Sequence, residues 1–306
     1  MSQSTPYYIL LDSETSQVER QTITGTRLNT FYGALTSVFG ESGSQGAGSP
    51  MSFSPSTSAG YAPISSGLLN GKKLFAVLTR WNYTPTPNQP TGYAPFSSGE
   101  ISAIKQFVSG GGGLLLMSNH GPFPPKPGQQ KIVWCENDAA LAAAFGFTLN
   151  KVYIGMKPSF HLLEMGASNF INNPRIANVA QIFSGVTSVI AHDGCGIQLA
   201  PTPPAGMVTF PLVSYPSGAY IWPSSGPVPS SGPYPSGNYF AAGATYGNGR
   251  VVVIANSGII GDVGNQNPAP GLVSFGSNLF FVLNSLAWLA KIPPWSPWGS
   301  GPLNGG

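Results

Sequence analysis

Ser118 and His120 stand two positions apart in Met117-Ser118-Asn119-His120-Gly121, directly after the apolar run Leu114-Leu115-Leu116. A hydroxyl and an imidazole are the nucleophile and general base of acyl or glycosyl transfer, and the ring needs a carboxylate to orient it. Asp12, which closes the apolar run Tyr7-Tyr8-Ile9-Leu10-Leu11, is the acid that a neighbouring strand end would supply. The stretch does not satisfy G-x-S-x-G, the elbow that exposes a serine on a strand-to-helix turn. A serine-type hydrolase of ester, amide or glycosidic bonds, with Ser118, His120 and Asp12 as its catalytic set, is therefore the second reading of this segment.

The first reading is a binding lip. Arg80, Trp81, Asn119, Asn256 and Ser257 also follow apolar runs. If those runs are parallel strands, one sheet edge collects guanidinium, indole, amide and hydroxyl groups, a mixture that suits a neutral polyol or sugar. Trp81 and Tyr83 would form the stacking face; packing of Trp81 beneath a long loop is the structural alternative. The function expected is non-catalytic binding or assembly, with this edge presented to a carbohydrate-like ligand or a protein partner.

The other reactive side chains are sparse. His161 and Glu164 in "HLLE" have the spacing of one helical face, and His192-Asp193-Gly194-Cys195 lies between two apolar runs as a turn. Neither is a zinc motif, and neither a metal nor a cofactor is expected. Cys135 and Cys195 are the two cysteines. They form one disulfide or stand as two buried thiols, and nothing local marks Cys195 as a nucleophile. Asp262 either caps the approach to the closing helix or lines the same edge as Asn256.

These residues are held by alternating strand and helix patterns. Tyr7–Asp12 and Lys73–Thr79 read as strands buried on both faces. Between them, Leu28, Phe31, Tyr32 and Leu35 share one helical face, and residues 40–66 form a Gly/Ser/Pro-rich loop. Ser97 and Glu100 have the spacing of a capping box ahead of Ile101, Ile104, Phe107 and Val108. Gly110–Gly113 stop that helix and return the chain to a strand at Leu114–Met117. The strand–helix–strand order predicts a parallel sheet with right-handed crossovers, whose carboxyl edge carries Ser118–Gly121. Asn137–Phe145 is a short helix closed by Gly146. Residues 187–256 read as an antiparallel β extension with a hairpin at Tyr246-Gly247-Asn248-Gly249-Arg250. Arg250–Ala255 is another buried strand and Asn278–Ala290 an apolar closing helix. The expected organisation is a single α/β domain over 1–290 and a Pro/Trp-rich tail over 291–306, whose Trp295 and Trp298 pack back or await a partner.

Composition narrows the partners. Charged residues are 8 % of the 306-residue chain, against about a quarter in an average globular protein. The polar surface is therefore built from uncharged side chains and backbone, which leans towards a secreted or cell-surface protein and opposes self-association with little repulsion. No signal peptide is read at the first residues, Met1–Pro6, and the compartment stays open. The net charge of +3 is scattered, with Gly71-Lys72-Lys73 as the densest basic group in sequence, so nucleic acid is not an expected partner. No apolar run approaches the roughly 20 residues of a spanning helix.

Three stretches carry a resemblance to a known superfamily: "FSSGEISAIKQFVSGGGGLLLMSNHG", "NPRIANVAQIFSGVTSV" and "YGNGRVVVIANSGIIGD" with "NLFFVLNSLAWLA". Together with the first strand they resemble the class I glutamine-amidotransferase-like superfamily, in the branch of trehalose-utilisation-like and gliding-motility-associated domains. The resemblance implies a three-layer, flavodoxin-like α/β fold with a mostly parallel sheet. It does not bring the amidotransferase chemistry with it. The elbow position, Met117–Gly121, holds no cysteine, and Ala255-Asn256-Ser257-Gly258 holds neither the His nor the Glu of the His-x-Glu pair.

Overall fold

The computed structural model describes residues 7–12, 28, 30, 31, 33–35, 51–53, 63–78, 95–121, 135–156, 162–222, 238–262 and 271–292. Its centre is a mixed sheet. Five strands run parallel: β1 (Tyr7–Asp12), β2 (Met51–Phe53), β3 (Leu74–Leu78), β4 (Gly113–Met117) and β12 (Gly249–Ile254). Their spatial order is β2-β1-β3-β4-β12. Counted along the chain this is the order 2-1-3-4-5 of flavodoxin-like sheets, and the architecture is compatible with that fold.

Burial explains the strand choices. β4 is buried at all five positions, and Leu74–Val77 of β3 and Val251–Ile254 of β12 are equally enclosed. Continuous apolar runs of this kind belong to strands covered on both faces. Helices α1 (Ser66–Leu69), α2 (Ser98–Ser109), α3 (Glu136–Ala144) and α4 (Asn278–Leu289) supply cover. Both α2 and α4 pack on β4 and β12. The capping box forms as the sequence predicts: Ser97 Oγ accepts from Glu100 N–H, and the Glu100 carboxylate accepts from Ser97 N–H at 2.9 Å. Glu100 is itself buried and its other oxygen accepts from Ile64 N–H at 3.2 Å, tying the start of α2 to the segment before α1. Leu28, Phe31 and Leu35 of the first helical face are buried as well.

The antiparallel part is broader than the sequence indicates. It begins at β5 (Phe147–Gly155), and continues through β8 (Gly194–Leu199), β9 (Met207–Ser214), β10 (Tyr220–Trp222) and β11 (Asn238–Tyr246). β11 joins it to β12 through the expected two-residue hairpin, with Gly247 at φ +54°. Two further strands, β6 (Leu163–Gly166) and β7 (Ser188–Ala191), pair separately. Glu164 thus lies on a strand, where positions three apart face opposite sides. The helical pairing expected of His161 and Glu164 does not arise; His161 lies outside the described residues.

Candidate functional site at the roofed strand ends

The parallel strands end together. Asp12 is in register with Val77, Val77 with Leu116 and Leu116 with Val253. Ser118 continues the β4 ladder, its N–H donating to the Ile254 carbonyl at 2.8 Å. Ser118, Asn119, His120, Asn256 and Ser257 are therefore gathered at one edge, as the sequence predicts. Asp12 reaches the same edge two strands away from Ser118, which is about 10 Å by strand spacing. Arg80, Trp81 and Tyr83 lie outside the described residues.

The edge is not open. Gly121 N–H donates to the Val152 carbonyl at 2.7 Å, and Cys195 N–H donates to the Ala255 carbonyl at 3.3 Å. These bonds lay β5 and the start of β8 across the ends of β4 and β12. β5 departs from regular pairing with β8 between Asn150 and Ile154, the same stretch that meets Gly121. A Cβ on Gly121 would lie 2.2 Å from Val152 N, so only glycine admits the crossing backbone. Under this roof Ser118 is 0 % exposed, Asn256 4 % and Ser257 8 %.

The Ser118 hydroxyl is committed to a carboxylate. Its Oγ donates to Asp138 Oδ2 at 2.8 Å, and both residues are fully buried. Asp138 sits in the first turn of α3, where the positive end of the helix favours an anion. His120 turns the other way. Its Nδ1 lies 2.6 Å from the Gly121 carbonyl, and because a carbonyl only accepts, Nδ1 carries the proton. His120 N–H donates to Asn119 Oδ1 at 2.8 Å, and the ring meets Tyr153 edge-on at 5.2 Å. No serine–imidazole bond is made. The acid that Ser118 bonds is Asp138; the backbone of Asp12 lies two strands away.

Asn256 is a fastener. Its Oδ1 accepts from Gly258 N–H at 2.6 Å, and its Nδ2 donates to the Asp193 carbonyl at 2.8 Å and to the Asp193 carboxylate. It thereby binds the turn after β12 to the turn before β8. Burial raises the Tyr153 phenol far above its ordinary range, and the Asp193 charge, nearby Tyr220 and a hydrogen bond to Asp193 reinforce the shift. The Asp262 carboxylate accepts the N–H of Thr30 at 2.9 Å, and its carbonyl accepts from Gly271 N–H at 3.0 Å on the approach to the closing helix.

The two cysteines are free, buried and adjacent to this edge. A hydrogen bond with Cys135, then burial, raise the Cys195 thiol, and the charges of Cys135 and Asp138 add to it. Tyr215 Oη donates to the Cys195 carbonyl at 2.6 Å. Among the described residues no three His, Cys, Asp or Glu side chains gather as a metal-binding set.

No family model and no curated protein matches the chain. Solved structures are similar in chain path. A ThuA-like protein from Bacteroides uniformis is 13 % identical, with a TM-score of 0.44 over 94 % of both chains. A ThuA-like protein from Parabacteroides merdae is 10 % identical, with a TM-score of 0.39 over 94 % of this chain and 91 % of that one. A β-galactosidase from Bacillus circulans is 11 % identical, with a TM-score of 0.43 over 95 % of this chain and 32 % of that one. At these values no residue role passes from any of them to this chain.

Proposed function

We propose that the chain is a non-catalytic binding or assembly module. Its contact face is the part of the C-terminal sheet edge that the roof leaves accessible, around Asn119 and His120, and its ligand is a neutral polar molecule of carbohydrate type. The reading rests on one observation: the Ser118 hydroxyl is enclosed and donated to Asp138, while His120 spends its Nδ1 proton on Gly121. A hydrolytic serine must meet both an imidazole acceptor and a substrate carbonyl. Here Asn256 and Asp193 fasten the roof to the turn after β12, Ser118 is fastened to α3, and the half-buried Asn119 and His120 line the proposed face. We also infer a three-layer, amidotransferase-like body with α2 and α4 on opposite faces, supported by their shared packing on β4 and β12.

Isothermal titration of the full chain with neutral oligosaccharides tests the reading. Binding that Asn119→Ala and His120→Ala weaken, with no turnover of nitrophenyl esters, anilides or glycosides, is the expected result. Turnover abolished by both Ser118→Ala and His120→Ala would restore the hydrolase. Absence of binding to any oligosaccharide would remove the carbohydrate class.

A further inference from the structure

At the opposite end of the parallel strands the fold assembles a second feature. A recess of about 680 Å³ opens beside the Gly110–Gly112 turn. Lys72 and Lys73 reach it from the approach to β3, Asn248 from the β11–β12 hairpin and Lys291 from the end of α4. Arg250 stands behind, donating to the Trp288 carbonyl at 2.6 Å and stacking on the Trp288 ring at 4.6 Å. No carboxylate lines the recess among the described residues. In a chain with only 13 Lys and Arg, this is a concentration of one sign.

The end of α4 fixes where one of these cations stands. Lys291 adopts φ +58°, the left-handed conformation, at the position following the end of α4. Lys291 N–H donates to the Trp288 carbonyl and Ile292 N–H to the Ala287 carbonyl. This is a Schellman ending, in which glycine is the usual occupant. Strain of this kind persists only where the surrounding structure over-determines it. Burial lowers the Lys291 ammonium, and facing charges on Arg250 and Lys73 lower it further, so the cations confront one another across the recess. The Gly110–Gly112 turn packs beside that ammonium, the Cβ position of Gly111 standing 3.9 Å from Lys291 Nζ.

We propose that this recess binds a small phosphorylated molecule, with Lys73 and Lys291 holding the phosphate and Asn248 and Gln106 meeting the uncharged remainder. Its volume falls in the range of small-molecule sites, roughly 300–1,000 Å³. Ammonium groups act as point charges for phosphate, and a phosphomonoester near −2 relieves the repulsion among several cations. The site is separate from the C-terminal edge, so the two readings stand or fall independently.

The test is calorimetric titration of the full chain at fixed ionic strength with glucose 6-phosphate, inorganic phosphate and glucose. Glucose 6-phosphate binds, phosphate binds more weakly and glucose does not bind at this site. Lys73→Gln and Lys291→Gly each weaken glucose 6-phosphate binding by roughly fivefold or more. Lys151→Gln, which removes an exposed lysine paired with Glu136 away from the recess, leaves it unchanged. Lys291→Gly relieves the backbone strain, so loss of binding there is not loss of fold. The proposal is overturned if glucose 6-phosphate does not bind, if neither recess variant weakens it, or if Lys151→Gln weakens it equally. It is also overturned if duplex DNA competes at this site more tightly than the sugar phosphate.

Discussion

Replacing Ser118 with alanine separates two accounts of this residue by its effect on stability. Its Oγ donates a 2.8 Å bond to Asp138 Oδ2, and neither residue has exposed surface. Alanine removes the donor and strands a carboxylate oxygen where bulk water does not reach. A hydrogen bond to a charged group contributes about 1.5–3 kcal/mol, and stranding a buried acceptor costs about 1–3 kcal/mol. These are two descriptions of one loss, so the expected destabilisation is about 2 kcal/mol. For a chain of 306 residues that corresponds to a fall in Tm of roughly 3 °C. Urea denaturation followed by tryptophan fluorescence, with a thermal scan beside it, measures both. The double variant Ser118→Ala/Asp138→Leu removes donor and acceptor together, and it should lose less than the sum of the two single variants. A nucleophile held ready for chemistry behaves otherwise: its removal leaves stability unchanged or raises it, because active sites trade stability for reactivity. A Ser118→Ala protein as stable as the parent would refute the fastener argument.

Four further outcomes follow from the same geometry. Gly121→Ala forces a Cβ against the Val152 backbone and should cost about 3 kcal/mol or more, read by denaturation and by faster hydrogen exchange in 147–155; parental exchange there would contradict the close crossing. Glu100→Ala removes the carboxylate that accepts from Ser97 and Ile64, and a loss of about 1–3 kcal/mol is expected; a loss below about 0.5 kcal/mol would mean the cap is not formed in solution. Lys291→Gly exchanges a left-handed lysine, which costs about 1 kcal/mol, for glycine, against a helix-end charge contribution of roughly 0.3–1 kcal/mol; stability should hold or rise slightly, and a marked fall would contradict the strain. The raised Cys195 thiol and Tyr153 phenol keep their protons in the folded state while the unfolded chain begins to release them near pH 8.5 and 10. Stability is therefore fully present below about pH 8.5 and falls above it, by about 1.4 kcal/mol per pH unit for each such group. Cys195→Ala should flatten the first part of that decline in denaturation curves between pH 7 and 9.5, and an unaltered slope would remove the thiol as its source.

What the residues disclose and what they withhold divides along a physical line. Ser97 with Glu100, Gly146 after α3 and Gly247 in the hairpin each decide a conformation within a few positions, and each forms as its type requires. The parallel run of buried strands is legible for the same reason, since continuous apolar segments have few other places to go. β5 is harder to read. Phe147 and Leu149 alternate as a half-buried strand should, but Lys151 breaks the alternation at the stretch where pairing with β8 is interrupted. Non-local pairings leave no local mark. Ser118 and Asp138 are twenty positions apart, and an acid in a first helical turn is ordinarily explained by the helix itself. The basic recess is invisible for the same reason, because Lys73 and Lys291 meet only after the sheet and α4 have formed.

The status of the strand-end residues turns on this distinction. A polar side chain after a buried strand ends either in water or beneath another segment, and its own neighbours in sequence are the same in both cases. The difference is recorded only where two backbones touch, at Gly121 against Val152 and at Gly194, whose Cβ would fall 3.4 Å from the Ala255 carbonyl oxygen. Glycine after a strand is usually read as a turn; here Gly121 marks the entry of a second chain segment. Once that segment is in place, Asn256 and Asp193 tie it to the turn after β12 while Ser118 is committed to Asp138 of α3, and the side chains that most suggest catalysis are the ones with structural obligations. Chemistry at this edge therefore has to be sought at the side chains that stay partly exposed, Asn119 and His120, although the His120 ring already meets Tyr153 of the roof.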